Sequence, residues 1–278
     1  MSILRTLYPE KYRNSKENAN NTINYYEKHR PFAMYHADTM EVILGNGNTI
    51  YQISIEDDYS RHYVSMEVFE SKHRYFVIIC MLKAFRQYGI PKLFHHDNGG
   101  EYDNATVKWL LKQFDITDVP TEVENPKGNG KKERAHGQDR KYFYEKHNFQ
   151  TIEDVEEAIP DYLDFINNVK GQWARYGETA SEPLKKAKSR RMSDEELEKV
   201  IRELCFEKKN RIVKKDGKVR FKGRQYHISK KLEGVTIEMR VILKGIEAWY
   251  GRKPIKGWKY WEYILNIAVV YIFERYLL

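Results

Sequence analysis

Three acidic residues stand where solubility alone does not call for a carboxylate: Asp38 inside an apolar run, Asp97 directly after another, and Glu133 at the head of a charged segment of helical character. Thirty-five residues lie between Asp97 and Glu133. On an extended strand Asp38 shares a face with Met34, Met40 and Val42. A carboxylate buried there costs several kcal/mol unless it is protonated, paired or bound to metal. Oxygen donors suit hard divalent cations, and two such ions about 4 Å apart activate an attacking oxygen and stabilise the leaving one in phosphoryl transfer. Taken singly, each acid reads more readily as solvated or capping. Taken together, they ask for a fold in which they converge.

Cations and a histidine accompany the third acid. On a helix beginning near Lys131, residues 133, 136, 137 and 140 fall on one face, so His136 and Arg140 stand beside Glu133. His136 reads as a contact to a scissile phosphate or a tuner of Glu133, and equally as a solvated surface histidine. Lys127, Lys131 and Lys132, carried on a Gly-rich loop, are expected phosphate contacts. Asn98 and Gly99 permit a tight turn after Asp97, and Glu101 is expected to cap or hydrogen-bond rather than to ligate metal.

Such groups need elements to hold them. Residues 32–44, 49–56 and 63–68 read as three strands, separated by turn chemistry at Gly45-Asn46-Gly47-Asn48 and Asp57-Asp58-Tyr59-Ser60. This is an antiparallel meander with Asp38 in its first strand. Residues 72–88 space Phe76, Ile79, Cys80, Lys83 and Phe85 near helical intervals and stop at Gly89-Ile90-Pro91. A short strand, 92–96, ends at Asp97. Asn104 then caps a helix to Phe114 with Val107, Leu110, Leu111 and Phe114 on its apolar face, and 116–123 is another short strand. Residues 125–130 read as a loop, 131–146 as a helix, and 152–169 as a further helix with Val155, Ile159, Tyr162, Leu163 and Ile166 on one side. That order packs as a mixed sheet flanked by helices, an α/β arrangement. After a charged helix over 193–207, five short strands at 211–214, 219–221, 224–228, 236–243 and 247–250 suggest a small barrel.

The chain has 278 residues, 41% hydrophobic and 32% charged, enough for one large domain and a small one and too apolar for disorder. The expected division is a linker or frayed helix over 1–30, a core over 31–180, a helical linker over 181–207, a basic barrel over 208–257 and an apolar tail over 258–278, read as a helix packing on the body or on a second subunit. The net charge of +8 divides over these segments as +3, −7, 0, +12 and 0. An acidic body followed by a basic module fits a protein that chelates a cation in one place and meets a polyanion in another, against the plainer reading of a solvated basic surface. Cys80 and Cys205, far apart, build neither a disulfide framework nor a cysteine zinc site, which suits a reducing cytoplasm. No signal peptide or bilayer-spanning run is evident, so membrane insertion is not expected.

Four motifs carry a resemblance: Tyr35-His36-Ala37-Asp38-Thr39; Glu56-Asp57-Asp58-Tyr59-Ser60-Arg61; His95-His96-Asp97-Asn98-Gly99-Gly100-Glu101-Tyr102; and Asn125-Pro126-Lys127-Gly128-Asn129-Gly130-Lys131-Lys132-Glu133-Arg134. In this order and with the thirty-five-residue gap, the chain resembles the integrase core of DDE transposases and retroviral-type integrases, above all insertion-sequence transposases, over about residues 35–144. The resemblance implies an RNase H-like fold in which Asp38, Asp97 and Glu133 bind two Mg2+ or Mn2+ ions. It further implies hydrolysis of a phosphodiester at the element end, followed by attack of the freed 3′-hydroxyl on target DNA, in a homo-oligomer assembled on DNA at the nucleoid. The turn at Asp57, Asp58, Ser60 and Arg61 is usually architectural in that family. About thirty residues precede the core, where relatives normally carry an end-recognising domain. The run 211–228 is similar, more weakly, to the small barrel of Mu-type transposases. In it, Lys214, Lys215, Lys218, Arg220, Lys222 and Arg224 are expected DNA contacts, with the aromatics forming the barrel core. Two other functions fit the residues: a silent DNA-binding relic or assembly subunit, and an RNase H-like nuclease that only hydrolyses.

Overall fold

Alternation of buried and half-buried residues builds the central sheet in the computed structural model, which describes residues 28–121, 126–172, 176–242 and 245–259, and omits the side chains of 126–133, 206 and 259. Strand β1 (Met34–Ile43) pairs antiparallel with β2 (Thr49–Asp57), which pairs antiparallel with β3 (Tyr63–Phe69). Helix α1 (Arg74–Gln87) crosses over to β4 (Leu93–His96), which runs parallel to β1. Helix α2 (Ala105–Gln113) leads to β5 (Thr117–Pro120), parallel to β4. The sheet order is β3-β2-β1-β4-β5. The mixed sheet is the one expected, and β1 lies at its centre because both the meander and the crossover pair with it.

Helices cover both faces. Tyr35, Ala37, Ile53 and Ile55 turn toward α1 and α2, where Val77, Ile79, Leu82, Phe85, Val107 and Leu110 are fully buried. Helices α3 (Pro126–Tyr142) and α4 (Ile152–Asp164) cover the other face, on which Ile50, Tyr63, Met66 and Val68 pack with Phe143, Val155, Ile159 and Tyr162. Each such side chain taken fully from water contributes about 2 kcal/mol.

Several expectations change here. The segment 126–130, read as a loop, forms the first turns of α3; Pro126 suits a first helical position because its missing N–H has no intrahelical partner there anyway. The helix expected to Val169 leaves α geometry at Phe165 and finishes as a π-helical turn, Phe165–Val169, five residues after Pro160 has removed a backbone donor from the ladder. After α5 (Ser181–Lys185), helix α6 (Asp194–Glu203) is closed by a Ser193–Glu196 capping box, and the remaining residues to Glu207 are already strand.

The C-terminal module differs from the expected five-stranded barrel. Six strands, β6 (Cys205–Ile212), β7 (Lys218–Phe221), β8 (Arg224–His227), β9 (Thr236–Ile242), β10 (Gly245–Tyr250) and β11 (Lys253–Lys259), form a four-stranded antiparallel sheet, β11-β10-β9-β6, and a separate β7-β8 hairpin. Strand β6 begins earlier than its charge pattern suggests, and β11 follows a tight turn at Gly251, whose φ of 60° favours glycine. The apolar tail expected to pack as a helix lies, from residue 260 on, outside the described residues. Val213, Val219, Phe221, Ile237 and Met239 share one continuous hydrophobic cluster with Leu197, Val200 and Leu204 of the linker and with the α1 side of the core.

Candidate active site

The site is built from the entry to β1 upward. Asp57 and Asp58, fully buried at the end of β2, accept hydrogen bonds that fasten the chain entering β1. Asp57 Oδ2 takes the Phe32 N–H at 2.7 Å, its Oδ1 takes Ser60 N–H and O–H at 2.8 Å each, and Asp58 Oδ2 takes the Lys28 N–H at 2.6 Å. Asp58 Oδ1 lies 2.7 Å from His36 Nε2 and 3.6 Å from the Arg61 guanidinium. His36 stands two residues before Asp38 on the same face of β1, so this hub sets where the strand begins and which way it faces. Its role is architectural, as the motif implies.

Asp38 and Asp97 are neighbours by register. The parallel pairing runs Met34 to Leu93, Tyr35 to Phe94 and His36 to His95, so two residues further along each strand stand Asp38 and Asp97. Asp97 directly follows the carboxyl end of β4, where open α/β sheets form their binding crevice, and Asp38 stands beside it midway along β1. Asp38 Oδ1 accepts the Thr39 N–H at 3.0 Å and Asp97 Oδ1 the Gly99 N–H at 2.9 Å. The buried Tyr102 hydroxyl is 2.8 Å from Thr39 Oγ1. Burial holds this phenol well above its ordinary range, and the charges of both Asp38 and Asp97 push it further up. Both carboxylates therefore act on one group. A Cβ on Gly99 would stand 2.7 Å from Glu101 Oε2 and 2.9 Å from Asp97 Oδ1, which explains glycine at that position and brings Glu101 close to Asp97. Glu101 also receives the Asn104 amide on its backbone oxygen.

Helix α3, which carries Glu133, approaches Asp38 through His136. His136 Nε2 lies 3.1 Å from Asp38 Oδ2, as a close charge contact without hydrogen-bond alignment. One turn further on, Asp139 is fully buried. Its carboxylate accepts from Gln52 Nε2 at 2.7 Å, Tyr63 O–H at 2.8 Å and Tyr162 O–H at 2.7 Å. Glu133 lies on the same helix, three residues before His136. The side chains of Glu133, Lys127, Lys131 and Lys132 lie outside the described residues, so of the expected three carboxylates only Asp38 and Asp97 are described. Among the described residues no three His, Cys, Asp or Glu side chains form a group sized for a metal ion.

Sequence reasoning did not single out Asp139, Glu56 or His36. Of the face expected over 133, 136, 137 and 140, Gly137 and Arg140 are exposed; the inward stripe is His136 and Asp139, continued by Phe143 just past the end of α3. The buried Phe143 was the available signal, since it marks the face that Asp139 shares. Glu56, paired across from His36 in the β1-β2 register, lines a small cavity of about 20 Å³ with His36, Asp38, Arg61 and His136. Its carboxyl is pushed up to about 7, first by burial and then by Asp139, Asp58 and Asp57, against the opposing pull of Arg61.

The expected basic contacts at the C-terminal end gather on the β7-β8 hairpin and the turn before it. Lys214, Lys215, Arg220, Lys222 and Arg224 are exposed and Lys218 is half-buried, while Val219, Phe221 and Tyr226 point into the core. Lys218 pairs with Asp216 and Lys222 with Glu207.

The five-stranded mixed sheet flanked by helices is an RNase H-like fold. Residues 28–126 match the integrase core domain family. This part of the chain is thus similar to an integrase core. No curated protein matches the chain. Among solved structures, a chain of the simian T-cell lymphotropic virus intasome, in complex with the PP2A regulatory subunit B56 gamma, is 12% identical with a TM-score of 0.52 over 84% of this chain and 81% of that one. The catalytic core domain of HTLV-2 integrase in complex with magnesium is 16% identical with a TM-score of 0.46, over 56% of this chain and 98% of that one. The catalytic core domain of BIV integrase is 22% identical with a TM-score of 0.44, over 55% and 95%.

Proposed function

We propose that this chain is a DNA transposase or integrase that hydrolyses a phosphodiester at mobile-element ends and joins the freed 3′-hydroxyl to target DNA, with Asp38, Asp97 and Glu133 as its catalytic carboxylates. The observation that carries this reading is the register of β1 and β4, which sets Asp38 beside Asp97 where β4 ends, with His136 of the Glu133-bearing helix against Asp38.

The donor chemistry fits two divalent ions. Asp38 and Asp97 offer oxygen donors, each oriented by a backbone N–H, and hard cations such as Mg2+ or Mn2+ prefer such ligands. When bound, such ions lower the pKa of an attacking water or hydroxyl and offset charge on the leaving oxygen. The chain's own groups do the rest. Asp38 stands within β1 and Asp97 directly after β4, rigid elements that keep their oxygens in place without reorganisation at the moment of reaction. His136, whose imidazole lies beside Asp38, is the proposed contact to a phosphate oxygen. Arg140, Lys127, Lys131 and Lys132 of α3 are the proposed backbone contacts near the site, and Lys214, Lys215, Lys218, Arg220, Lys222 and Arg224 of the C-terminal module those further along the duplex. Assembly as a homo-oligomer on DNA, in the cytoplasm at the nucleoid, belongs to the same proposal and accords with the similarity to an intasome chain. Among the described residues no helix is long and apolar enough to cross a membrane.

The test is Asp97→Asn. It is expected to abolish Mg2+-dependent cleavage and joining of a duplex oligonucleotide while leaving duplex binding intact. Unchanged strand transfer by that variant would refute the assignment.

A further inference from the structure

We infer that Asp139 is a positioning residue whose buried carboxylate sets the rotation of helix α3 about its axis, and with it the place of Glu133 relative to Asp38 and Asp97. The inference rests on the proposed function, in which Glu133 is the third carboxylate.

Three donors from three separate elements converge on this one acceptor: Gln52 from β2, Tyr63 from β3 and Tyr162 from α4. Gln52 is itself held, its Oε1 accepting the Tyr144 O–H at 2.8 Å. Burying a carboxylate is expensive, and an aliphatic side chain of similar size fills such a space at lower cost. What three converging donors add is direction. Displacing α3 by one residue turns it by about 100°, which takes the carboxylate off all three donors at once and leaves every one of these buried groups unsatisfied. Slippage is therefore penalised far more steeply than it would be by apolar packing alone.

The strands that make this lock are those that hold the site. In the β1-β2 register Gln52 stands opposite Met40 and Ser54 opposite Asp38, so the Gln52–Asp139 bond ties α3 to the same strand pair two positions along from the catalytic carboxylate. His136, one turn before Asp139, meets Asp38 directly. Helix α3 is thus anchored at Asp139 and approaches Asp38 one turn earlier, and Glu133 occupies the next turn back. A displacement of about 1 Å in a catalytic group lowers rate on the order of a hundredfold, so an anchor two turns away is within reach of the chemistry.

The test uses the full chain with Tyr162→Phe and, separately, Tyr63→Phe. Each removes one donor hydroxyl and keeps the ring; that of Tyr162 packs at 4.7 Å on Phe143. Well below the melting temperature of each variant, kcat for Mg2+-dependent cleavage of a duplex oligonucleotide is expected to fall by about tenfold to a hundredfold with KM unchanged. The imidazole 15N and 1H signals of His136 in the metal-free chain are expected to shift. A kcat that falls only with the folded fraction, with His136 signals unmoved in both variants, overturns the inference. If the unmodified chain cleaves no DNA, the proposed function fails on its own. The His136 signals then still decide the positioning claim: a shift in both variants supports it, and no shift in either overturns it.

Discussion

At the scale of single residues, the site depends on close approach and on burial. A Cβ on Gly99 would press on the carboxylates of both Asp97 and Glu101, and one or both would have to shift to admit it. Gly99→Ala is expected to displace the Asp97 carboxylate and lower cleavage on the order of a hundredfold while duplex binding stays the same; an active Gly99→Ala chain would show that Asp97 need not stay where it is. Two buried groups near the core set a pH dependence of opposite signs. Burial lowers the His62 pKa from its ordinary 6.5 to about 4, so stability present above pH 6.5 is lost as pH falls toward 4. Burial raises the Glu56 carboxyl to about 7, so the folded chain binds the extra proton and stability is lost as pH rises from about 4.5 to 7. Each effect is on the order of 3 kcal/mol, and together they flatten the profile. Denaturant unfolding across pH 4 to 8 should separate them: His62→Phe leaves a metal-free chain that gains stability on acidification, and Glu56→Gln leaves one that loses it. A profile unchanged by either substitution would mean that neither group is shifted.

At the scale of elements, the loop after β4 is held by the helix that follows it. Asn104 accepts the N–H groups of Thr106 and Val107 on its side-chain oxygen and donates its amide to the carbonyls of Gly100 and Glu101. One residue therefore caps α2 and fastens the Asp97 loop. Asn104→Ala should cost about 1–2 kcal/mol of stability and speed amide hydrogen exchange selectively over residues 98–104. Exchange that rose evenly across the domain would indicate a lost cap and nothing more. A second device protects the open edge of the sheet. Asn167, buried in the π-helical turn after α4, accepts the Tyr63 N–H at 2.9 Å and donates to the Tyr63 carbonyl at 3.1 Å, pairing with β3 as a further strand would.

Across the whole molecule, the proposed function assigns catalysis and DNA affinity to different modules, which share one hydrophobic core. Removing the chain from residue 208 on would strip Val213, Val219 and Phe221 from a cluster that reaches α6 and α1, so truncation is a poor test of the division of labour. Charge reversal on the surface is cleaner. Replacing Lys214, Lys215, Arg220 and Arg224 with Glu in the full chain should lower the salt slope of duplex binding by about 0.9 for each phosphate that is no longer neutralised, while melting temperature and metal binding stay near those of the unmodified chain. An unchanged slope would move DNA affinity away from the hairpin and leave the module a role in subunit assembly.

The sequence by itself determined the local elements and supplied the candidate carboxylates. Strand alternation, the Asn104 cap, the turn residues and the spacing of Asp38, Asp97 and Glu133 are properties of neighbouring residues or of an ordered motif, and the central sheet has the predicted mixed order. Tertiary structure alone decided what depends on partners distant in the chain. That Asp139, rather than Arg140, faces inward follows from Gln52 and Tyr63, 87 and 76 residues away, which no periodicity of helix α3 records. The split of the C-terminal strands into a four-stranded sheet and a hairpin turns likewise on which edges pair across the module, where β6 finds β9 in preference to β7. A backbone donor or acceptor on a strand accepts any partner of the right register, so strand identity is legible locally, whereas strand partnership is settled only when the apolar faces close on one another.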